Sequence, residues 1–241
     1  MHIVQAYVRP GDVVIDATCG NGHDTLRLAR MLQLPCRAPD ASDRESSAGA
    51  PAKAGYLFAF DIQPEAIQST RDLLIREGYE HALDEKIFLV CAGHEQMGES
   101  LRDHAPGRRA PSCCTPGYCA SGMNASGMNA SGMGAPGSGA SDDGFAAAVV
   151  FNLGYLPGGD KSLTTRCDTT LAAIRESLSL LRPGGLISVT MYSGHEEGAK
   201  EKRALLAFAE ELDSKQWHAA YISMPNQHHA PPEILLITRK R

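Results

Sequence analysis

The chain has 241 residues, 43% of them hydrophobic and 21% charged, with a formal net charge of −5. That is enough material for the full core of one α/β domain. It excludes an overall basic field, so any nucleic-acid contact has to come from a local patch. No apolar run is long enough to span a bilayer, and no basic-then-apolar leader opens the sequence, so a soluble cytoplasmic protein is expected.

Seven cysteines, Cys19, Cys36, Cys91, Cys113, Cys114, Cys119 and Cys167, lack paired CxxC spacing, which favours reduced thiols. Cys113, Cys114 and Cys119 with His104 fit no structural zinc pattern, so no metal is expected.

In chain order, the apolar run Val13-Val14-Ile15 meets Asp16-Ala17-Thr18-Cys19-Gly20-Asn21-Gly22-His23-Asp24-Thr25 and passes into the helical pattern Leu26-Arg27-Leu28-Ala29-Arg30-Met31-Leu32. A buried strand, a glycine turn and a helix start in that order build a cradle for a nucleotide-type cofactor. Gly20 and Gly22 let the backbone turn sharply beside a ligand, and the helix start offers free N–H groups. Strands are expected at 12–17, 56–61, 86–91, 146–152, 185–192, 217–224 and 234–238, and helices at 22–33, 64–77, 95–103, 163–181 and 196–213. Pro64 suits the first turn of its helix, and Gly78 and Gly184 read as stops after helix ends. Five alternating units followed by two adjacent strands predict a doubly wound α/β sheet with a terminal hairpin. The Rossmann-like class I methyltransferase fold has that form: seven strands, mostly parallel, the last antiparallel.

Two stretches interrupt the pattern. Residues 106–143 carry the pentapeptide Ala120-Ser121-Gly122-Met123-Asn124, repeated from Ala125 and, with a final Gly134, from Ala130. Residues 35–54 share the same small-residue character. Neither can bury a face, so both are expected to be disordered surface insertions in a single domain spanning 1–241.

A dinucleotide fingerprint needs a third glycine three residues after Gly22, where this chain has Thr25, and dehydrogenase chemistry loses support accordingly. S-adenosylmethionine has no pyrophosphate; its methionine end asks for N–H donors and for acceptors facing an ammonium. Asp16 and the Gly20-Asn21-Gly22 backbone supply both, with Thr18 and Asp24 in the same segment. Alone, Asp16 reads as an N-cap or loop carboxylate, a reading that the neighbouring glycine turn weakens. Asp61 closes Phe58-Ala59-Phe60-Asp61, where a carboxylate accepts from ribose hydroxyls. The usual gap of about twenty residues is exceeded by the length of the 35–54 insert. Ile62 or Gln63 would border the adenine, and Asp61 is also placed to cap the helix at Pro64. His94-Glu95 follows the third strand, where the adenine ring is expected; the plain alternative is a glutamate favoured at a helix start.

Residues 152–161, Asn152-Leu153-Gly154-Tyr155-Leu156-Pro157-Gly158-Gly159-Asp160-Lys161, follow the fourth strand, at the edge where acceptors meet a methyl donor in this fold. An amine nucleophile must present a neutral lone pair in line with the methyl–sulfur bond, which acceptors around its N–H groups achieve. The Asn152 side-chain oxygen would do this, Tyr155 would stack on a flat substrate, and Asp160 and Lys161 would orient it. Asn152 holding its own turn stays open, as does a plain surface pair for Asp160 and Lys161. Tyr192 and His195 leave the fifth strand on the same edge, His195 being open to proton acceptance, base contact or simple solvation. The loop resembles the Asn-Pro-Pro-Tyr type loop of amino-methylating enzymes without its prolines. His228-His229 is assigned to a turn or substrate rim.

Together, segments 16–25, 59–63, 150–161 and 192–195 resemble the YtqB-like, or MnmM, methyltransferase family over nearly all of the chain outside the inserts. The resemblance implies S-adenosylmethionine as cofactor and a tRNA anticodon stem-loop as partner. It implies methylation of the amine of 5-aminomethyl-2-thiouridine at the wobble position, giving 5-methylaminomethyl-2-thiouridine. With the residue reading, the catalytic candidates are Asn152 and Tyr155. The cofactor candidates are Asp16, Thr18, Gly20, Asn21, Gly22, Asp24, Asp61, Gln63, His94 and Glu95. Substrate contacts are assigned to Gly158, Asp160, Lys161, Tyr192 and His195, with no metal. A longer N-terminal helix, usual in the family, is reduced here to residues 1–8, which leaves open the docking or homodimer contacts such a segment makes. Positive charge for phosphate is sought at Lys161, Arg166, Lys200, Lys202, Arg203 and Arg239-Lys240-Arg241. The competing readings are a methyltransferase of the same fold acting on rRNA or a small amine, and a cofactor-binding protein without catalysis.

Overall fold

Apolar runs without alternation pack as strands covered on both faces, and those at 13–16, 56–61, 146–152 and 186–191 do so, whereas 217–222 is largely exposed. The computed structural model describes residues 1–36, 55–103, 144–154, 165–227 and 229–241. Its strands β1 (Val13–Asp16), β2 (Tyr56–Asp61), β3 (Ile87–Cys91), β4 (Ala146–Asn152), β5 (Leu181–Met191), β6 (Trp217–Ile222) and β7 (Glu233–Arg239) form one sheet in the order β3-β2-β1-β4-β5-β7-β6. β7 runs antiparallel to β5 and β6, and the other pairings are parallel. The expected class I methyltransferase architecture is therefore present. β1 pairs with β2 on one side and β4 on the other, so the chain winds outward in both directions from this point. Ligands of open α/β sheets bind at the carboxyl ends of the strands at such a switch.

Helices α1 (His2–Gln5), α2 (His23–Met31) and α3 (Pro64–Arg76) cover one face, burying Val4, Leu28 and Leu74 against Val14, Leu57, Ala148 and Leu186. Helices α4 (Met97–Asp103), α5 (Cys167–Leu180) and α6 (Glu196–Glu210) cover the other, burying Met97, Ile174 and Leu205 against Phe58, Phe60 and Phe151. Each such side chain withdrawn from water contributes about 1.5–3 kcal/mol.

Several boundaries differ from expectation. The helix expected from residue 95 begins as a 3-10 turn, His94–Gln96, before α4. Short elements at His2–Gln5 and Glu80–Ala82 lack the length to show periodicity. Gly78, at φ +87°, does end α3: its N–H bonds to Ile75 O, and that of Tyr79 to Leu74 O. Gly184 does not stop a helix. Leu181 is already extended and pairs with Ala146, and Gly184, at φ +77°, bends the irregular lead-in of β5. Apart from Pro35 and Cys36, the expected inserts lie outside the described residues. Among the described residues, no helix is long and apolar enough to cross a membrane.

Candidate functional site

The turn after β1 is stitched to both neighbouring strands. The N–H of Ala17 bonds to Val150 O of β4 at 2.8 Å, and that of Cys19 to Phe60 O of β2 at 2.8 Å. Gly20 and Gly22 have φ of +52° and +82°, the left-handed backbone that glycine adopts freely. The Thr70 hydroxyl of α3 donates to Gly20 O at 3.0 Å, tying the turn to the helix beneath it.

Asp16 points inward and is 1% exposed. Its Oδ2 accepts the Thr25 hydroxyl at 2.6 Å, and its Oδ1 accepts the Thr18 N–H at 3.3 Å. Burial pushes its carboxyl up to about 7 despite the Thr25 bond, with the charges of Asp24 and Asp61 adding to the rise. Thr25 thus stands where a dinucleotide fold has a packing glycine, and it braces the carboxylate instead. Asp16 shapes the turn, and half-buried Asp24 is the carboxylate of this segment that lines a cavity.

Asp61 serves two partners: its Oδ2 accepts the Gly20 N–H at 3.0 Å, and its Oδ1 the Gln63 N–H at 3.0 Å. The first bond spans from β2 to the glycine turn. The second folds the entry to α3, where Gln63 is the N-cap residue. Ile62 beside it is 55% exposed, an apolar side chain left open at the strand edge. His94 is buried, its ring edge-on to Phe151 at 5.8 Å between centroids. Burial lowers its proton affinity, and its Nε2 is buried with no partner among the described residues. A buried ring nitrogen left so calls for a water, a bound group or a shift of the ring to satisfy it. The Glu95 carboxylate folds back over Gly93.

On the α1–α2 side of the edge, a cavity of about 350 Å³ is lined by Asp24, Asn152, Ser188, Thr190 and Tyr192, with Ile3 and Val4 of α1 among its walls. The Asn152 N–H donates to Thr18 Oγ1 at 2.7 Å, and its Nδ2 to Asp24 Oδ2 at 3.3 Å. Tyr192 lines the same cavity as Asn152, and burial and the Asp24 charge raise that phenol's pKa. Asn152 therefore meets the glycine turn, an acidic group and a tyrosine at one point.

The strand ends bring Asp16, Thr18, Gly20, Gly22, Asp24, Asp61, Gln63, His94, Asn152 and Tyr192 to one edge. His195 is committed to α6: its Nδ1 accepts the Gly198 N–H at 2.8 Å, making it the N-cap. Tyr155, Gly158, Asp160, Lys161 and His228 lie outside the described residues. Sequence reading missed Ser188, Thr190 and the α1 contacts. Along β5 and just past its end, polar residues at 188, 190 and 192 alternate with apolar ones, a period-two signal that marks them as one face. The proposed basic positions are largely engaged: Lys200 with Glu196 and Glu197, Lys202 with Glu233 at 2.5 Å, Arg166 with Asp168, and Arg239 with Leu181 O. Among the described residues, no group of three or more His, Cys, Asp or Glu could hold a metal ion.

Comparison with known proteins agrees with this geometry. Residues 57–108 and 142–238 match the family described as "Putative rRNA methylase". Over 241 residues the chain is 33% identical to the Arabidopsis thaliana protein named tRNA (mnm(5)s(2)U34)-methyltransferase, chloroplastic, covering 99% of this chain and 68% of that one. The crystal structure of an rRNA-methylase homologue from Clostridium thermocellum superposes with a TM-score of 0.68 at 28% identity, covering 99% of this chain and 94% of that one. SMU.1697c of Streptococcus mutans, a methyltransferase homologue solved in complex with SAH, has the same fold, with a TM-score of 0.63 at 23% identity over 99% of this chain and 96% of that one. With its sheet order, its stitched glycine turn and a match covering most of its length, the chain belongs to this rRNA-methylase family of class I methyltransferase fold.

Proposed function

We propose that the protein is an S-adenosylmethionine-dependent N-methyltransferase, one domain across 1–241, acting in the cytoplasm on the amine of 5-aminomethyl-2-thiouridine at the tRNA wobble position. The observation that carries the reading is the Asp24–Asn152–Tyr192 cavity beside the glycine turn, in a chain 33% identical to a protein named for that reaction.

The residues present fit the cofactor. Asp61 would hold the ribose, and the unpartnered Nε2 of His94 with exposed Ile62 would take the adenine. Thr18, Gly20, Asn21 and Gly22 would hold the methionine end. When bound, S-adenosylmethionine supplies a methyl group activated by a sulfonium charge.

The chain's own task is to present a neutral amine. Donation from Nδ2 to Asp24 leaves the Asn152 carbonyl as the acceptor end of its amide, suited to an amine N–H. Asp24 opposes the positive charge that grows on the amine nitrogen, a form of stabilisation strongest in a cavity that excludes water. Tyr155 is proposed to stack on the base, and Gly158, Asp160, Lys161 and Tyr192 to border it. A single nucleotide turned out of a loop needs a pocket more than a wide basic face, which reconciles the net charge of −5 with an RNA substrate.

The test is incubation of purified protein with labelled S-adenosylmethionine and bulk RNA whose tRNA lacks the terminal methyl group, followed by separation of tRNA from rRNA and nucleoside analysis. A labelled 5-methylaminomethyl-2-thiouridine peak is expected. Label confined to rRNA would favour the second reading, which the family's description suggests; no transfer to any RNA would leave a small-amine methyltransferase or a cofactor-binding protein without catalysis.

A further inference from the structure

Glu201 of α6 is 5% exposed, and nothing in the proposed chemistry uses it. Its Oε1 accepts the Thr170 hydroxyl at 2.6 Å, and its Oε2 accepts the Thr165 hydroxyl at 3.1 Å. Thr165 Oγ1 in turn accepts the Gly154 N–H at 3.0 Å, and the Thr165 N–H donates to Gly154 O at 3.1 Å. Gly154 and Thr165 are thus bonded both ways, eleven residues apart in sequence. Between Asn152 and Gly154, the Leu153 N–H bonds to Thr190 O at 2.9 Å.

We propose that Glu201 is a positioning residue which, through Thr165, fixes the path of residues 152–154 and with it the Asn152 amide at the cavity. This rests on the reading of Asn152 as an acceptor-side group. The Thr165 hydroxyl has one proton; giving it to a carboxylate turns an oxygen lone pair toward the Gly154 N–H, so the two bonds orient each other. Burial pushes the Glu201 carboxyl upward, while both threonine hydroxyls and nearby His195 act in the other direction. A buried carboxylate carries a desolvation cost that an apolar side chain at the same place would avoid. The group is explained by the geometry it imposes rather than by added stability. A plain bolt between α5 and α6 would need only Thr170, and the two threonines separate the roles.

The experiment compares Thr165→Val, Thr165→Ser, Thr170→Val and Glu201→Gln in the full chain. Thr165→Val and Glu201→Gln are expected to lower kcat on the tRNA about 10- to 100-fold, the scale of a small misplacement at a reacting centre. Kd for S-adenosylmethionine by calorimetry should stay within about twofold, and exchange of the Gly154 amide should quicken. Thr165→Ser should behave as wild type, and Thr170→Val should lower Tm with kcat kept. Wild-type turnover in Thr165→Val, failure of serine to rescue, or an equal loss in Thr170→Val would overturn the proposal. If Glu201→Gln does not fold, the Thr165 pair decides. Wild-type protein that methylates no RNA would remove the functional reading instead, and protection of the Gly154 amide in wild type against Thr165→Val would still test the clasp.

Discussion

Asn152 Nδ2 lies 3.3 Å from Asp24 Oδ2, a bond between the end of β4 and the first turn of α2 that crosses 128 residues of chain. Asp24 also pairs with Arg27 at 3.2 Å, but that exposed arginine adds little to its energy. Replacing Asn152 by alanine should lower kcat about 100-fold while Kd for S-adenosylmethionine stays within about twofold, since the lost acceptor serves the amine alone. Asp24→Asn should lower kcat/KM for the tRNA by about 10-fold or more by removing the charge facing the amine. Steady-state kinetics and calorimetry separate the two effects. Unchanged kcat in both variants would remove the pair from the mechanism.

His94 offers a second test on the cofactor side. Its buried Nε2 has no partner among the described residues, and its ring rests edge-on against Phe151. Phenylalanine keeps that contact and removes the orphan nitrogen, so the stability of the free protein should change by less than about 1.5 kcal/mol. Cofactor affinity should fall about tenfold, the scale of one lost hydrogen bond. Calorimetric titration with S-adenosylhomocysteine reads this directly, and an unchanged Kd would show that the ring only packs.

Asp16 gives a pH dependence with a definite sign. Its carboxyl moves from 3.8 to about 7 on folding, so the native state holds the proton more tightly than the unfolded chain. The stabilisation from this proton is full below about pH 4 and is lost as pH rises toward and through 7. The shift corresponds to about 4 kcal/mol across the window. Asparagine can satisfy Thr18 and Thr25 without a charge, the Thr25 hydroxyl turning to accept. Urea unfolding of Asp16→Asn should therefore gain on wild type by about 2 kcal/mol or more between pH 5 and pH 8. A constant difference across that range would contradict the assignment.

The parts of the site legible in the sequence are those where an apolar run breaks into a polar residue: Asp16 after Val14-Ile15, Asp61 after Ala59-Phe60, Asn152 after Val150-Phe151. In a parallel sheet such breaks fall on one edge, so a local signal fixes a global position. What stayed hidden depends on long-range contact. Within Glu196-Glu197-Gly198-Ala199-Lys200-Glu201 nothing distinguishes Glu201 from its solvated neighbours, because Thr165 and Thr170 reach it from another helix and its approach. The inward turn of Asp16 was hidden for a related reason: it follows from the Thr25 hydroxyl, which the sequence showed only as an absent glycine.

Gly22 tests whether the turn tolerates any side chain. Its φ of +82° penalises an L-residue, and an added Cβ would sit 2.8 Å from the Thr70 Cα of α3. That neighbour is backbone, which cannot rotate away as the tip of a flexible side chain could. Gly22→Ala thus combines left-handed strain with an overlap, together about 2–5 kcal/mol of lost stability. Relief of the overlap has to separate α2 from α3 at this point, and the Thr70 hydroxyl that donates to Gly20 O moves with its helix. The same strain therefore reaches the cofactor turn through Gly20. Urea unfolding should report the lost stability, and calorimetry at a temperature where the variant remains folded should report weaker binding of S-adenosylhomocysteine. Full stability in the variant would mean that the two helices are not held at this contact.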